Sequence, residues 1–254
     1  MNSSTDFIFG IRAVIEAVRS GKEIDRVLIK KGLAGELFQE LFKEIRDGQI
    51  AFQYVPAEKL NRITRKNHQG VIALVSSIPY HNIESIIPGL FEQGKMPFIL
   101  ILDGITDVRN IGAIARTAEC AGVDAIIVPE RGSAQINADA VKTSAGALHY
   151  VPVCKVKNLT NTIKFLKNSG LRIAAATEKT SDLYFSIDYR EPFALILGAE
   201  DTGISPESLR LADYLISIPL SGHIESLNVS AAASVIIYEA VKQRITNEQK
   251  QVGS

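Results

Sequence analysis

Three short polar clusters in this chain have residue types that could do chemistry, and they follow one another as Asn110 with Arg116, then Glu200, then Ser226 with Asn228. The first lies in DGITDVRNIGAIARTAEC, where Arg116 sits among Ile114, Ala115, Thr117 and Ala118. A guanidinium cannot be buried free, so Arg116 must either find a partner or snorkel to water. Asn110 has the side chain of a helix N-cap, and Gly112 with Ala113 permits close packing. The second cluster, ALILGAEDTGIS, leaves an apolar run through Gly198 and Glu200 to Gly203. Glycine at a strand end lets backbone approach a flat ligand. GAEDTG lacks the G-x-G-x-x-G spacing and carries two acids where a pyrophosphate would need bare amides, so a neutral or cationic ligand suits it better, a plain turn being the alternative. The third, IPLSGHIESLNVS, leaves through Pro219 and sets Ser226 and Asn228 where either suits the start of an Ala-rich helix.

These clusters need a scaffold that brings three loops to one edge. From Pro97 onward, apolar runs of strand length alternate with helical patterns: strands at 98–102, 125–128, 150–153, 172–176, 194–197 and 215–218, and helices at 111–120, about 138–144, 159–168, near Pro206, and 227–244. That alternation predicts an α/β fold with a mostly parallel sheet covered by helices on both faces. Ligands in such sheets bind at the carboxyl ends of strands, where all three clusters fall. Residues 1–77 form a smaller α/β series, with helices at 11–18, 35–46 and 56–63 and strands at 26–29, 50–55 and 71–76. The expected organisation is a domain at 1–77, a linker at 78–96 and a larger domain at 97–254. The last helix is apolar nearly all round, with Leu227, Val229, Val235, Ile236, Ile237 and Val241, so self-association or its own sheet must cover it. The polar tail 245–254 is expected to fray.

The 254 residues carry 28 Lys and Arg against 28 Asp and Glu, which argues weakly against a dedicated nucleic-acid coat protein. Their distribution says more: residues 1–77 hold 12 Lys and Arg against 9 Asp and Glu. Lys59, Arg62, Arg65 and Lys66 fall in one window with no acid, and helical spacing would set Lys59, Arg62 and Lys66 on one face. That face is either simply solvated or a contact for RNA phosphates. No apolar run approaches the ~20 residues of a membrane span, and no secretory signal opens the chain. Cys120 and Cys154 have no metal-ligand spacing and read as small core residues, so a reduced, cytoplasmic protein without a metal site is expected.

In this order and spacing the three loops resemble the signature motifs of the SpoU branch of knotted methyltransferases, also called the TrmH family. The match is N-x-G-A-I-x-R-T-A from Asn110, L-G-A-E-x-x-G from Leu197, and I-P-L-x-G-x-x-x-S-L-N-V-S from Ile218. Val108 stands where the family often has proline, and Ala199 where it often has asparagine. Residues 1–77 look like the family's L30e-type RNA-binding domain, and Asn67-His68-Gln69-Gly70-Val71 matches a stretch frequent in the subgroup acting on guanosine of 23S ribosomal RNA.

The resemblance implies a trefoil-knotted sheet domain, an exception to the rule that chains do not thread loops. It implies S-adenosylmethionine as cofactor, held by backbone at Gly198, Ile218 and Leu227, and a ribose 2'-hydroxyl of RNA as methyl acceptor. It sets Asn110, Arg116, Glu200, Ser226 and Asn228 nearest the methyl group. None of the four histidines occupies a motif position, and the family gives the base role to Arg116. A guanidinium is effectively always protonated, so stabilising a developing alkoxide is the easier role for it. Asn110 would orient Arg116 or the ribose, and Glu200 would pair with basic or hydroxyl groups. The expected partners are RNA, ribosomal ahead of transfer, and a second copy joined through the knotted domain. A transfer-RNA 2'-O-methyltransferase and a non-catalytic RNA-binding assembly factor are the alternatives. A nicotinamide-dependent oxidoreductase is disfavoured by the missing glycine fingerprint.

Overall fold

The computed structural model describes residues 7–134, 136–224 and 226–252, with side chains through Thr246. The chain divides into two units, one of Met1–Pro79 with Gln135–Ala138 and one of Tyr80–Ala134 with Asp139–Ser254. In the first, strands β1 (Phe7–Phe9), β2 (Ile24–Lys30), β3 (Phe52–Val55) and β4 (Val71–Val75) form a sheet in the order β1-β4-β2-β3. Strand β4 runs antiparallel to β1 and β2, while β2 and β3 are parallel. Side chains alternate across it as a pleated strand requires. Val27 and Ile29 pack with α1 (Ile11–Arg19) and α2 (Glu36–Asp47), and Leu28 packs with Leu60 of α3 (Ala57–Ile63) on the other face.

The second unit holds α4 (Ile83–Glu92), β5 (Phe98–Asp103), α5 (Val108–Cys120), β6 (Ala125–Pro129), α6 (Ala138–Thr143), β7 (Val153–Val156), α7 (Leu159–Asn168), β8 (Arg172–Ala176), β9 (Phe193–Gly198), α8 (Pro206–Leu211), β10 (Tyr214–Ile216) and α9 (Val229–Val252). Its six strands are all parallel, in the order β10-β8-β9-β5-β6-β7. Helices cover both faces, which is why β5 is buried from Phe98 to Leu102 without a break. Ile99 and Ile101 meet the core shared by α4 and α7. Leu100 and Leu102 point the opposite way by strand alternation.

Several boundaries differ from the sequence expectation. Residues 78–96 are more than a linker: Ile83, Ile87 and Leu90 of α4, spaced for one helical face, join the core of the second unit. The strand expected at 150–153 begins only at Val153, after a turn at Ala147–His149 that leaves Tyr150 exposed. Helix α9 continues to Val252 through the tail expected to fray. Cys154 is a core residue, and burial pushes its thiol up to about 12. Cys120 is exposed instead, because the buried stripe of α5 is Ile111, Ile114, Ala115 and Ala118 and position 120 lies off it. Among the described residues no helix is long and apolar enough to cross a membrane.

One cation pins α9 to the sheet. Arg244 donates from Nε to the Tyr189 carbonyl at 2.9 Å, from Nη1 to Met96 at 2.8 Å and from Nη2 to Glu191 at 3.2 Å. It also lies 5.3 Å from the ring centroids of both Phe98 and Phe193. Burial lowers its pKa, while the carbonyls supply the hydrogen-bond partners a desolvated guanidinium needs. Arg244→Ala is expected to lower the unfolding free energy by about 2–4 kcal/mol, because charged hydrogen bonds and cation–π attraction disappear together. Calorimetric unfolding measures this, and Arg244→Lys should recover little, since an ammonium cannot span these carbonyls, to which Pro97 adds a fourth at 3.4 Å.

Candidate active site

The strand order reverses around β5. The chain runs outward through β6 and β7, then returns so that β9 lies beside β5 with β8 and β10 beyond it. Crevices at such switch points, outside the carboxyl ends of strands, are where open α/β sheets hold ligands. A cleft of about 350 Å³ opens to one side of this switch point, at the carboxyl ends of β8, β9 and β10 and without residues of β5. Leu197, Ile216, Ile218, Leu227, Val229 and Ile236 give it apolar walls, and Glu200, Ser217 and Ser226 add polar groups.

All three residues expected to hold a cofactor by backbone, Gly198, Ile218 and Leu227, line this cleft. Ile218 does so from the loop, because β10 already ends at Ile216. Gly198 is required for a different reason from the one expected. A Cβ there would lie 2.3 Å from the Gly203 carbonyl carbon and 2.4 Å from the Ile204 nitrogen, so the close approach is to its own loop. That loop is closed by Gly203 N–H to the Ala199 carbonyl at 2.9 Å and the reverse bond at 3.2 Å. Gly112 serves packing as expected: a Cβ would meet the Ala140 carbonyl oxygen at 2.7 Å.

Residues from 28 to 90 positions away in sequence converge on Glu200. Its Oε1 accepts from Asn110 Nδ2 at 3.1 Å, from Asn228 Nδ2 and from the Val229 N–H at 3.4 Å. Asn228 Nδ2 also donates to Asn110 Oδ1 at 3.0 Å. Asn228 caps α9 through Oδ1, which accepts from the Ser230 N–H at 3.0 Å. Asn110 is not the cap of α5. Asp107 holds that place, accepting from the Arg109 N–H at 2.8 Å, and Asn110 lies in the first turn with its amide turned to Glu200. Ser226 lines the cleft beside this cluster.

Arg116 stands apart. It is exposed, and among the described residues it has no hydrogen-bond or ion-pair partner. Six helical steps part it from Asn110, about 120° round the axis at ~100° each, so of the two roles expected for Asn110, orienting Arg116 has no contact behind it within the chain. In the first unit Lys59 and Arg62 lie on α3, but the helix stops at Ile63 and Thr64 is extended at φ −148°. Lys66 therefore leaves the face predicted for it, and its Nζ sits 5.9 Å from the Phe9 ring centroid. Arg65 belongs to the same loop, and all four side chains are exposed. The Asn67–Val71 stretch shapes that loop: the Gly70 N–H donates to His68 Nδ1 at 3.0 Å, which leaves His68 Nε2–H to donate to Asn61 Oδ1 at 2.9 Å. Gln69 Oε1 accepts the Ile11 N–H at the start of α1.

Sequence reasoning missed Thr177, Glu178 and Lys179, which line the cleft from the end of β8. Their only signal is position, since every carboxyl end of a parallel strand is a candidate. Among the described residues no group of His, Cys, Asp or Glu is arranged to hold a metal ion.

Residues 97–238 match the SpoU rRNA methylase family, and residues 7–81 match the family described as RNA 2'-O ribose methyltransferase substrate binding. The chain is 36% identical over 237 residues, 93% of its length and 96% of the relative's, to a Staphylococcus aureus protein assigned to the TrmH family of tRNA/rRNA methyltransferases. Its fold is similar to that of the SpoU methyltransferase AviRb from Streptomyces viridochromogenes, solved in complex with AdoMet, at TM-score 0.60 and 26% identity over 94% of this chain and 90% of that one. A TrmH/SpoU tRNA modifying enzyme of A. aeolicus matches at TM-score 0.56 and 31% identity, over 65% of this chain and 85% of its own. The chain belongs to the SpoU rRNA methylase family, the S-adenosylmethionine-dependent RNA methyltransferases also called the TrmH family.

Proposed function

We propose that the protein transfers the methyl group of S-adenosylmethionine to a ribose 2'-hydroxyl of ribosomal RNA, a guanosine of 23S RNA. The observation that carries this reading is the Glu200 cluster, which draws Asn110 and Asn228 together beside a cleft of cofactor size. About 350 Å³ lies within the range of small-molecule sites. Its lining fits the cofactor: apolar walls for the adenosyl group, and Glu178, Glu200 and Asp201 against a cationic ligand. When bound, the cofactor supplies an already activated methyl group.

The chain's own residues then hold, orient and stabilise. Gly198, Ile218 and Leu227 frame the cofactor, and Ser226 faces the reacting ribose beside them. Asn110 Nδ2 gives one N–H to Glu200 and keeps a second N–H for a ribose oxygen. In-line placement accounts for much of the rate in such a reaction. The hydroxyl gives up its proton to solvent water as the methyl group leaves the sulfonium, and Arg116 stabilises the developing alkoxide as a permanent cation. Since it lies away from the cluster in its own chain, it acts on the site of a second copy. The half-exposed Val235 and Tyr238 of α9 fit an interface between two copies. The second unit is the methyltransferase domain, threaded as a trefoil knot, and the first is an L30e-like RNA-binding domain working in the cytoplasm.

Transfer of labelled methyl groups into purified ribosomal and transfer RNA, followed by mass-spectrometric mapping of 2'-O-methyl sites, tests the reading. Methylation confined to transfer RNA would replace the ribosomal assignment, and no transfer to either would remove it. The α3 cations make a separate prediction. Lys59→Ala with Arg62→Ala is expected to flatten the salt dependence of RNA binding by about 0.7 in log–log slope for each phosphate no longer neutralised. Affinity for S-adenosylhomocysteine should stay unchanged; filter binding over a range of salt measures the slope.

A further inference from the structure

We propose that Asp103 is a positioning residue for Glu200, an inference that rests on the reading of the Glu200 cluster given above. Asp103 ends β5 and is paired in register with Gly198 at the end of β9. Its Oδ2 accepts from the Ser205 N–H at 3.0 Å and from the Ser205 hydroxyl at 2.6 Å. Ser205 is the N-cap of α8, and its Oγ lies 2.9 Å from the hydroxyl of buried Ser208. A hydroxyl has one proton to give. The short bond to a carboxylate claims that of Ser205, so Ser208 is the donor between the two serines. One carboxylate thus gathers a hydroxyl, a backbone N–H and, through Ser205, a buried serine.

The consequence reaches Glu200 through the loop. Residues 199–203 form a closed turn, held by the paired bonds between Ala199 and Gly203. The turn stands on two feet, Gly198 in the sheet and Ser205 at the start of α8. Asp103 holds both, the first by strand pairing and the second by its side chain. Glu200 rides on this turn and reaches Asn110 and Asn228, the polar residues of the other two loops. Asp103 also opens the loop that leads to Asn110, so a single side chain sets the offset between the first two clusters. Without it the turn keeps its internal bonds but loses its second foot, and Glu200 presents its carboxylate from a shifted position.

The test is a pair of mutant cycles on the full-length protein, read by kcat for methyl transfer and by the Kd of S-adenosylhomocysteine. Asp103→Ala is expected to lower kcat about thirtyfold through loss of two hydrogen bonds to a charged acceptor. Asp103→Asn, whose Oδ1 can accept both Ser205 donors, should stay within about threefold of wild type. In a Glu200→Ala background the same Asp103→Ala change should alter kcat by less than about twofold, because residues acting through one another are not additive. A full loss in both backgrounds would overturn the proposal, since a merely structural aspartate would harm the two equally. Should Asp103→Ala not fold, Ser205→Ala is carried through the same cycle, with an intermediate loss expected only where Glu200 is present. Wild-type protein that neither binds S-adenosylhomocysteine nor methylates RNA would instead remove the functional reading beneath it.

Discussion

Arg116→Ala is expected to lower kcat by about 10²–10³-fold, the range found when a group stabilising developing negative charge is removed. Cofactor affinity should be unchanged, because Arg116 does not line the cleft. Stability should move by less than about 0.5 kcal/mol, as for surface positions without partners. This combination separates a catalytic arginine from one that supports the fold. Arg116→Lys keeps the charge without the planar fork and should recover part of the loss. The assignment to a second copy adds a stricter test. Mixing Arg116→Ala protein with Glu200→Ala protein should restore about a quarter of wild-type activity, since half of the dimers formed at random are mixed and each mixed two-fold dimer has one intact site. If Arg116 served the site of its own chain, both sites of the mixed dimer would carry a defect and mixing would restore nothing. Sedimentation of the wild type as a folded, active monomer would refute the shared site directly.

The sequence made some of this legible and hid the rest for identifiable reasons. Periodicity located the parallel sheet because β5, β6 and β9 are short runs, apolar up to their last residue and bounded by turn residues. The three residues of β1 are too few to show a period, and only pairing with β4 makes them a strand. Asn110 and Asp107 are equally good caps on paper. Which one meets the first free N–H depends on where the helix starts, and the answer released Asn110 for a contact with Glu200 90 residues away. Lys66 was misplaced by extending helical spacing past Ile63, where Thr64 turns the chain into extended backbone. Gly198 shows a subtler limit: its glycine was evident, but a strand end cannot reveal whether the backbone beside it belongs to a ligand or to its own loop. In α4 the spacing of Ile83, Ile87 and Leu90 suits one helical face, but that spacing does not show the sheet against which they are buried.

Glu200→Ala is expected to lower kcat/KM for methyl transfer by about 10²-fold, or ~3 kcal/mol of transition-state stabilisation. The size follows from what its Oε1 holds. Three N–H donors from two distant loops end on that one atom. Hydrogen bonds to a charged acceptor are each worth about 1.5–3 kcal/mol, but the cluster is solvent-facing, so water replaces part of that stabilisation. What water cannot replace is geometry. Asn110 and Asn228 would keep their mutual bond, yet the pair would no longer be fixed to the loop that lines the cleft. Glu200→Gln distinguishes charge from shape. Its Oε1 can still accept where the carboxylate did, so a loss of only about tenfold is expected from the weaker neutral acceptor. Unfolding temperature should hardly change in either variant, because Glu200 is exposed and α9 keeps its Asn228 cap. A kcat/KM for Glu200→Ala within about threefold of wild type would show that the convergence of the three loops on this carboxylate is incidental to catalysis.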